Sequence, residues 1–288
     1  MGRYIIALSI YLFDNQKTLI IPLLLTSVIG IFLIAKLVLK NTLLSLIPLG
    51  IFVNEPLFLG KLSYAPLLEP IQLPFIVFSL YFFIKGILSK QYMKWFLLTS
   101  LMVGFVISIR FFILGFFLVL SMLIYLFIEG RIDKKTTLFL LSLPLSLIIL
   151  VLSYTRTIQD GYSVYQIFGV QKYIFFYHKS KFILPFSFWD LLLFNRWHTW
   201  WGDRTIISDS AWIITWPISS VVTAGYLFAA LMKKIAVSPQ EKVIALWIIM
   251  YSLLLSIGDS TTRYFLPLVP FIYILATSFI IKIIIMKI

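Results

Sequence analysis

The apolar residues of this chain fall into long, almost uninterrupted runs. A helix that crosses a membrane needs about 20 consecutive apolar residues, with a range of about 17–25. Such runs predict membrane-spanning helices, because a helix satisfies its own backbone hydrogen bonds in hydrocarbon. The long runs are residues 18–39, 71–88, 137–153, 211–231 and 264–285, with a shorter uninterrupted run at 243–257.

Two further regions complete the predicted crossings. Residues 94–127 are too many for one span and carry Arg110 in the middle. An arginine is costly at the centre of a bilayer and cheap at a turn, so this region is predicted to form a hairpin of 95–109 and 111–127. Residues 42–53 are interpreted as a short or tilted crossing. The sequence therefore predicts an all-α polytopic membrane protein with about nine transmembrane helices.

The composition supports this fold class and excludes several others. Hydrophobic residues make up 61% of the 288 residues, and charged residues only 12%. Soluble domains carry about 25% charged residues, so an ordinary soluble enzyme and a disordered chain are both excluded. The chain has no cysteine, which excludes a disulfide scaffold, a thiolate metal site and a cysteine nucleophile. Two histidines, His178 and His198, are too few for a histidine-rich metal cluster.

The net charge of +13 indicates orientation rather than nucleic-acid binding. Lysine and arginine accumulate on the cytoplasmic side of membrane spans, and the chain shows no basic stripe of a nucleic-acid module. The predicted cytoplasmic ends lie near Lys40, Lys90, residues 131–135, residues 233–242 and Lys287. The short outer segments hold fewer basic residues, namely Arg3, Lys17, Lys61, Arg110 and Arg263.

The chain is expected to form a single transmembrane domain over residues 1–288. Residues 1–17 are too short in their apolar part to span, and no small-x-small cleavage site follows them, so an interfacial outer segment is favoured over a signal peptide. Residues 154–210 form one long extracytoplasmic loop. Most of the acidic residues fall on the outer side, which predicts an extracytoplasmic functional face. The plasma membrane is the expected location.

Two acids beside predicted helices are candidate catalytic residues. Both lie in the predicted outer segment 54–70, with Glu55 near its beginning and Glu69 at the start of the span 71–88. One interpretation is structural, because the helix dipole favours an acid at a helix amino terminus. The other is a carboxylate that contacts the acceptor or, in the case of Glu69, binds Mg²⁺ or Mn²⁺, which prefer hard oxygen ligands.

The long outer loop carries the densest group of aromatic and charged residues. Residues 194–204 read Phe-Asn-Arg-Trp-His-Thr-Trp-Trp-Gly-Asp-Arg. Aromatic rings commonly form a belt at the bilayer surface, which is the structural alternative here. Arginine suits phosphate, and tryptophan faces suit a sugar ring or a prenyl chain. The candidates for phosphate are Arg196 and Arg204, and those for the sugar or prenyl groove are Trp200, Trp201, His198 and Asp203.

Two more arginines lie at predicted outer ends of helices. Arg263 precedes the last span and is followed by Tyr264, while Arg110 marks the hairpin turn. Either arginine is explained by anchoring at the interface or by binding a lipid-linked phosphate. Tyr264 is a candidate for the sugar or prenyl groove.

Several short motifs resemble the GT-C class of membrane glycosyltransferases, and especially the protein O-mannosyltransferases and the aminoarabinose transferases. Residues 262–270, Thr-Arg-Tyr-Phe-Leu-Pro-Leu-Val-Pro, resemble the Arg-Tyr-x-x-Pro-x-x-Pro opening of a late helix in that class. Tyr64 and Ala65 followed by Glu69 resemble its second outer loop. Short paired helices around Gly104 and Arg110, and a long outer loop that re-enters at 212–217, are also similar.

The resemblance implies transfer of a sugar from a polyprenyl-phosphate carrier to a protein, lipid or glycan on the outer face. Glu69 would act as the base, and Arg196, Arg204 and Arg263 would neutralise the leaving phosphate. A divalent cation, Mg or Mn, is implied as a cofactor. The expected partners are the bilayer and the lipid-linked sugar, and no nucleic acid is expected.

The chain departs from the pattern of the class at its beginning. If residues 18–39 correspond to the second helix of the class, its first helix and first acidic outer loop are missing. The expectation is then an incomplete or inactive enzyme, or one whose partner subunit supplies that segment. Two other hypotheses stay open, a lipid-linked glycan transporter or polymerase subunit, and a non-catalytic partner of another membrane enzyme.

Overall fold

A computed structural model describes residues 1–63, 67–109, 112–130, 134–179, 184–199, 205–258 and 261–287. These residues are mostly helical and contain almost no strand, which confirms the predicted all-α class. The helices of the first half are α1 Gly2–Phe13, α2 Ile20–Leu39, α3 Thr42–Val53, α4 Pro56–Ser63, α5 Leu68–Leu88, α6 Tyr92–Ile109, α7 Phe112–Ile128, α8 Lys134–Ser142 and α9 Pro144–Leu152. The second half contains α10 Thr155–Gln159, α11 Val164–Lys179, α12 Ser187–Phe194, β1 Trp197–His198, β2 Ile206–Ile207, α13 Thr215–Leu231, α14 Pro239–Ile257, a 3₁₀ helix at Thr262–Phe265 and α15 Val269–Lys287.

Every predicted crossing corresponds to a helix in the part of the chain that the structure describes. Five helical stretches are long and apolar enough to cross a membrane, namely α2, α5, α6, α14 and the stretch Lys134–Leu152 formed by α8 and α9. The others, α3, α7, α13 and α15, are shorter apolar helices, and each remains a predicted crossing. The protein is a multi-pass integral membrane protein.

Prolines move two of the predicted boundaries. The run 137–153 is divided at Leu143, because Pro144 lacks an N–H and its ring clashes with the carbonyl one turn earlier. The run 264–285 becomes α-helical only at Val269, after the 3₁₀ helix at Thr262–Phe265, because Pro267 has no N–H with which to continue an α-helical hydrogen-bond pattern. Hydropathy does not register a missing N–H, so the sequence did not predict either break.

A third boundary is moved by a side chain. The run 211–231 becomes helical at Thr215 rather than at Ala211. The Asp209 carboxylate accepts a hydrogen bond from the Ala211 N–H at 2.8 Å and holds the preceding residues in a turn. An aspartate that bonds its own nearby backbone competes with helix formation at that point.

Helix α5 is the most enclosed of the long helices and packs between α2 and α6. Close approach depends on glycine. A Cβ at Gly30 of α2 would lie 2.6 Å from a methyl of Val77, and a Cβ at Gly104 of α6 would lie 2.7 Å from Cβ of Ile149 on α9. Small residues let membrane helices approach in this way, because packing rather than hydrophobicity drives their association.

Polar side chains gather at both ends of this helical bundle. At one end, Lys242 donates to Glu129 at 2.5 Å, and Lys282 lies 2.6 Å from Glu241. The opposite end holds Glu55, Glu69, the 3₁₀ helix and the described residues from α12 to Asp209, which are linked by the contacts described below. The first of these ends carries the lysines that predict a cytoplasmic side.

Candidate functional site

The structure brings together two residues that sequence reasoning selected separately. Glu69 lies in the first turn of α5, and Arg263 lies in the 3₁₀ helix before α15. The Arg263 Nε atom is 3.4 Å from Glu69 Oε1. This distance describes an ion pair rather than a well-formed hydrogen bond. The Glu69 side chain is 5% exposed and that of Arg263 is 37% exposed, so the arginine covers a buried carboxylate and faces the surroundings itself.

Tyr264 orients the arginine from the other side. An Arg263 Nη atom donates to the Tyr264 hydroxyl at 3.1 Å, and the guanidinium carbon lies 5.0 Å from the centroid of that ring. The Tyr264 carbonyl in turn accepts from the Tyr251 hydroxyl of α14 at 2.8 Å. A guanidinium carries five N–H donors, so these contacts leave donors that can reach an anion.

Glu55 belongs to a different cluster. It lies between α3 and α4 and is completely buried. The indole N–H of Trp216 donates to both of its oxygens at 3.1 Å, and the Tyr273 hydroxyl also donates to it. The Thr215 and Tyr273 hydroxyls are 2.8 Å apart. Glu55 thus ties the start of α4 to α13 and α15, and its hydrogen bonds go to these residues rather than to Arg263.

Burial raises the pKa of the Glu55 carboxyl to about 8, although the hydrogen bond from Trp216 opposes the shift. A carboxyl whose pKa rises on folding binds more protons when folded, so stability falls as pH rises between about 4.5 and 8. Glutamine does not titrate in this pH range. We therefore expect Glu55→Gln to exceed the wild type in thermal stability by a margin that grows as the pH rises through this range. Thermal unfolding in detergent at several pH values measures it. A margin that stays constant with pH would contradict the assignment, and Asp160→Asn, at an exposed acid, serves as control.

The long segment 154–210 contributes a second pair of polar side chains. His198 of β1 lies with Nε2 2.9 Å from Oδ2 of Asp190 in the first turn of α12. His198 is therefore a hydrogen-bonded histidine. Arg196, between these elements, is exposed. The remaining candidates of this segment, Trp200, Trp201, Asp203 and Arg204, lie outside the described residues, as does Arg110 of the hairpin turn.

Hydrogen bonds attach this segment to the 3₁₀ helix that carries Arg263. The Thr262 hydroxyl donates to Asp209 Oδ2 at 2.6 Å, and the Asp209 N–H donates to the side-chain oxygen of Asn195 at 2.8 Å. The Phe265 ring contacts Phe188 of α12 and Trp216 of α13. The segment 154–210 is thus packed against the 3₁₀ helix that carries Arg263. Among the described residues, neither Arg196 nor His198 contacts Glu69 or Arg263.

Sequence reasoning did not select the partners that organise this site. These are Asp190, Asp209, Trp216, Thr262 and Tyr273. Each lies far along the chain from the residue that it contacts, or in a loop whose turn the sequence does not fix. No local pattern distinguishes them from other aromatic or polar residues near a membrane surface.

The described residues do not assemble a cation site around Glu69. No three histidine or acidic side chains come together in the described ranges. Arg263 already provides a positive charge 3.4 Å from the Glu69 oxygen, which a divalent ion would have to displace. The cation therefore remains a prediction from the sequence, and no chemical step here depends on it.

Comparison with known families agrees with the architecture. The model of the family described as dolichyl-phosphate-mannose-protein mannosyltransferase matches residues 1–155. The matched part runs from α1 to the start of α10 and includes Glu55 and Glu69, whereas Arg263 lies beyond it. No curated protein matches the chain. Because the match covers more than half of the 288 residues, the chain belongs to the dolichyl-phosphate-mannose-protein mannosyltransferase family, which is a family of GT-C-type membrane glycosyltransferases.

Proposed function

We propose that this protein transfers a sugar from a polyprenyl-phosphate carrier to an acceptor hydroxyl on the outer face of the membrane. The observation that carries the proposal is the pairing of buried Glu69 with partly exposed Arg263 at one end of the bundle. Transfer from such a carrier needs a base for the acceptor hydroxyl and a positive charge for the leaving phosphate. The pair supplies both groups at one place.

The two residues act in sequence. The donor phosphate competes with Glu69 for the Arg263 guanidinium. Because the contact between Arg263 and Glu69 is long, at 3.4 Å, little energy is lost when the phosphate replaces the carboxylate. Once Arg263 holds the phosphate, the Glu69 carboxylate accepts the proton of the acceptor hydroxyl. The acceptor oxygen then bonds to the anomeric carbon, and the bond from that carbon to the phosphate oxygen breaks. The phosphate leaves with the electron pair, and Arg263 neutralises its charge.

The remaining parts of the proposal rest on the sequence and on the family. The lysine-rich opposite end supports an outer position for the Glu69 end. The family name supports mannose as the sugar, a dolichyl-type carrier and a protein acceptor. Arg196, Arg204 and Arg110 are proposed to add positive charge for the phosphate, and Trp200, Trp201, His198 and Asp203 to line the sugar or prenyl groove. We also propose the plasma membrane as the location.

The test is transfer of labelled mannose from a short-chain prenyl-phosphate mannose to a peptide rich in serine and threonine. It is measured with the purified protein and with membranes that contain it, each with and without EDTA. Labelled peptide in either preparation supports the proposal, and activity in membranes alone points to a partner subunit. Donor binding without labelled peptide in both preparations would overturn the proposal and favour a transporter. Loss of activity with EDTA would establish the predicted cation.

A further inference from the structure

A large apolar cavity lies apart from the Glu69–Arg263 pair. Its volume is about 770 Å³, within the range of pockets that bury small-molecule ligands. Its walls come from α6, α7, α8, α9 and α11, with Val103, Val119, Leu147 and Phe168 among them. Leu143 and Pro144, at the division between α8 and α9, both line the space.

The cavity offers one site for charge. Apart from Ser146 and Lys172, all of its lining residues are apolar or glycine. The Ser146 hydroxyl already donates to the Leu143 carbonyl at 2.6 Å. Lys172 of α11 is exposed, and its ammonium lies 5.9 Å from the Phe176 ring centroid, with no carboxylate paired to it among the described residues. A long apolar space beside one unpaired cation suits an aliphatic chain that ends in an anionic headgroup.

The position of this cavity separates it from the proposed reaction. Helix α6 packs against α5, which carries Glu69, and also against α9, whose residues line the cavity. None of the lining residues belongs to α5 or to the 3₁₀ helix with Arg263. In the proposed function the donor phosphate lies at Arg263, so its prenyl chain does not begin at Lys172.

We propose that this cavity binds a phospholipid of the surrounding bilayer, with one acyl chain between α6, α7 and α9 and an anionic headgroup on Lys172. The site is predicted to lie at the outer end, since Lys172 belongs to the predicted long outer segment and Phe112 begins α7 next to the predicted outer turn. The lipid fills the space beside the break at Leu143 and fixes α11 over the helix hairpin. The separation from the donor site rests on the proposed function, whereas the lipid site itself does not.

The experiment is native mass spectrometry of the full chain in a mild detergent, titrated with phosphatidylglycerol or with phosphatidylcholine. We expect one phosphatidylglycerol bound more tightly than phosphatidylcholine. Lys172→Glu should weaken phosphatidylglycerol by about fivefold or more, as expected for one lysine at a membrane surface. Val119→Trp fills the cavity and should weaken both lipids. The matched controls, exposed Lys90→Glu and Val221→Trp on α13, should bind as the wild type does.

Equal binding of the two lipids by the wild type, or unchanged binding in both variants, would overturn the proposal. A third titration with a prenyl phosphate distinguishes the sources of the anionic group. If Lys172→Glu weakens the prenyl phosphate and leaves phosphatidylglycerol unchanged, the cavity belongs to the donor and the phospholipid assignment is wrong. Lipid binding is measured without turnover, so this result is independent of whether the protein transfers a sugar.

Discussion

Glu69→Gln is expected to reduce sugar transfer by about 10²-fold or more, the contribution typical of a positioned general base. Glutamine keeps the size of the side chain and an oxygen that can face Arg263, but it cannot take a proton from the acceptor. Donor binding should therefore change little, and the loss should fall on kcat rather than on KM for the donor. Initial rates with prenyl-phosphate mannose at several concentrations measure both quantities.

One control variant and two further variants accompany this experiment. Glu129→Gln removes an acid that is also paired with a basic residue, Lys242, but at the opposite end of the bundle. Its transfer rate per folded molecule should equal that of the wild type. Arg263→Ala should lower both the affinity for the donor and the transfer rate. The double variant Glu69→Gln with Arg263→Ala should be little less active than the less active of the two single variants, because the effects of groups that act as a unit are not additive. Normal transfer by Glu69→Gln would contradict a base role and favour the transporter hypothesis.

The sequence predicted the members of the ion pair but not the pair. Glu69 and Arg263 were each selected because a charged residue stood at the predicted outer end of a span. Their contact depends on how α5 packs against the segment before α15, and that packing is set by contacts between helices far apart in the chain. Hydropathy records which residues enter the membrane and contains no information on which helices become neighbours.

Glu55 illustrates the same limit more strongly. The sequence placed it in an outer segment with Glu69, and both acids were catalytic candidates. In the structure it is fully buried under Trp216 and Tyr273, which arrive from α13 and α15. An acid becomes a structural group or a catalytic group according to what covers it, and the covering residues here are more than a hundred positions away.

The long segment 154–210 shows what composition alone could establish. Its aromatic and charged residues indicated either an interfacial belt or a surface for phosphate and sugar, and the described part contains α10, α11, α12 and the antiparallel pair of β1 and β2. The Asp190–His198 contact depends on the left-handed Asn195, which ends α12 and returns the chain towards it. Asparagine tolerates that conformation, but many asparagines do not adopt it, so the return could not be predicted.

At the other end of the bundle, Lys282→Met should lower the unfolding free energy by about 2–3 kcal/mol. Removing one partner of a fully buried ion pair costs somewhat more, about 3–5 kcal/mol. The Glu241 side chain is only 2% exposed and lies 2.6 Å from Lys282, which is itself 28% exposed. Lys282 also donates to the Ala236 carbonyl at 2.8 Å. Its loss leaves a buried carboxylate without a counter-charge, and thermal unfolding in detergent should show the midpoint fall by several degrees.

The double variant Glu241→Gln with Lys282→Met separates an unpaired charge from a packing defect. If the unpaired carboxylate causes the loss, removing its charge should restore most of the stability, since buried ion pairs contribute little beyond satisfying each other. The glutamine oxygen can still accept from the Ser238 N–H, and its NH₂ can donate to the Ser278 hydroxyl oxygen, at the positions of the two Glu241 oxygens that accept in the wild type. Lys234→Met, at an exposed lysine, should leave the midpoint unchanged. A double variant no more stable than Lys282→Met would show that the lysine stem, rather than its charge, holds α14 and α15 together.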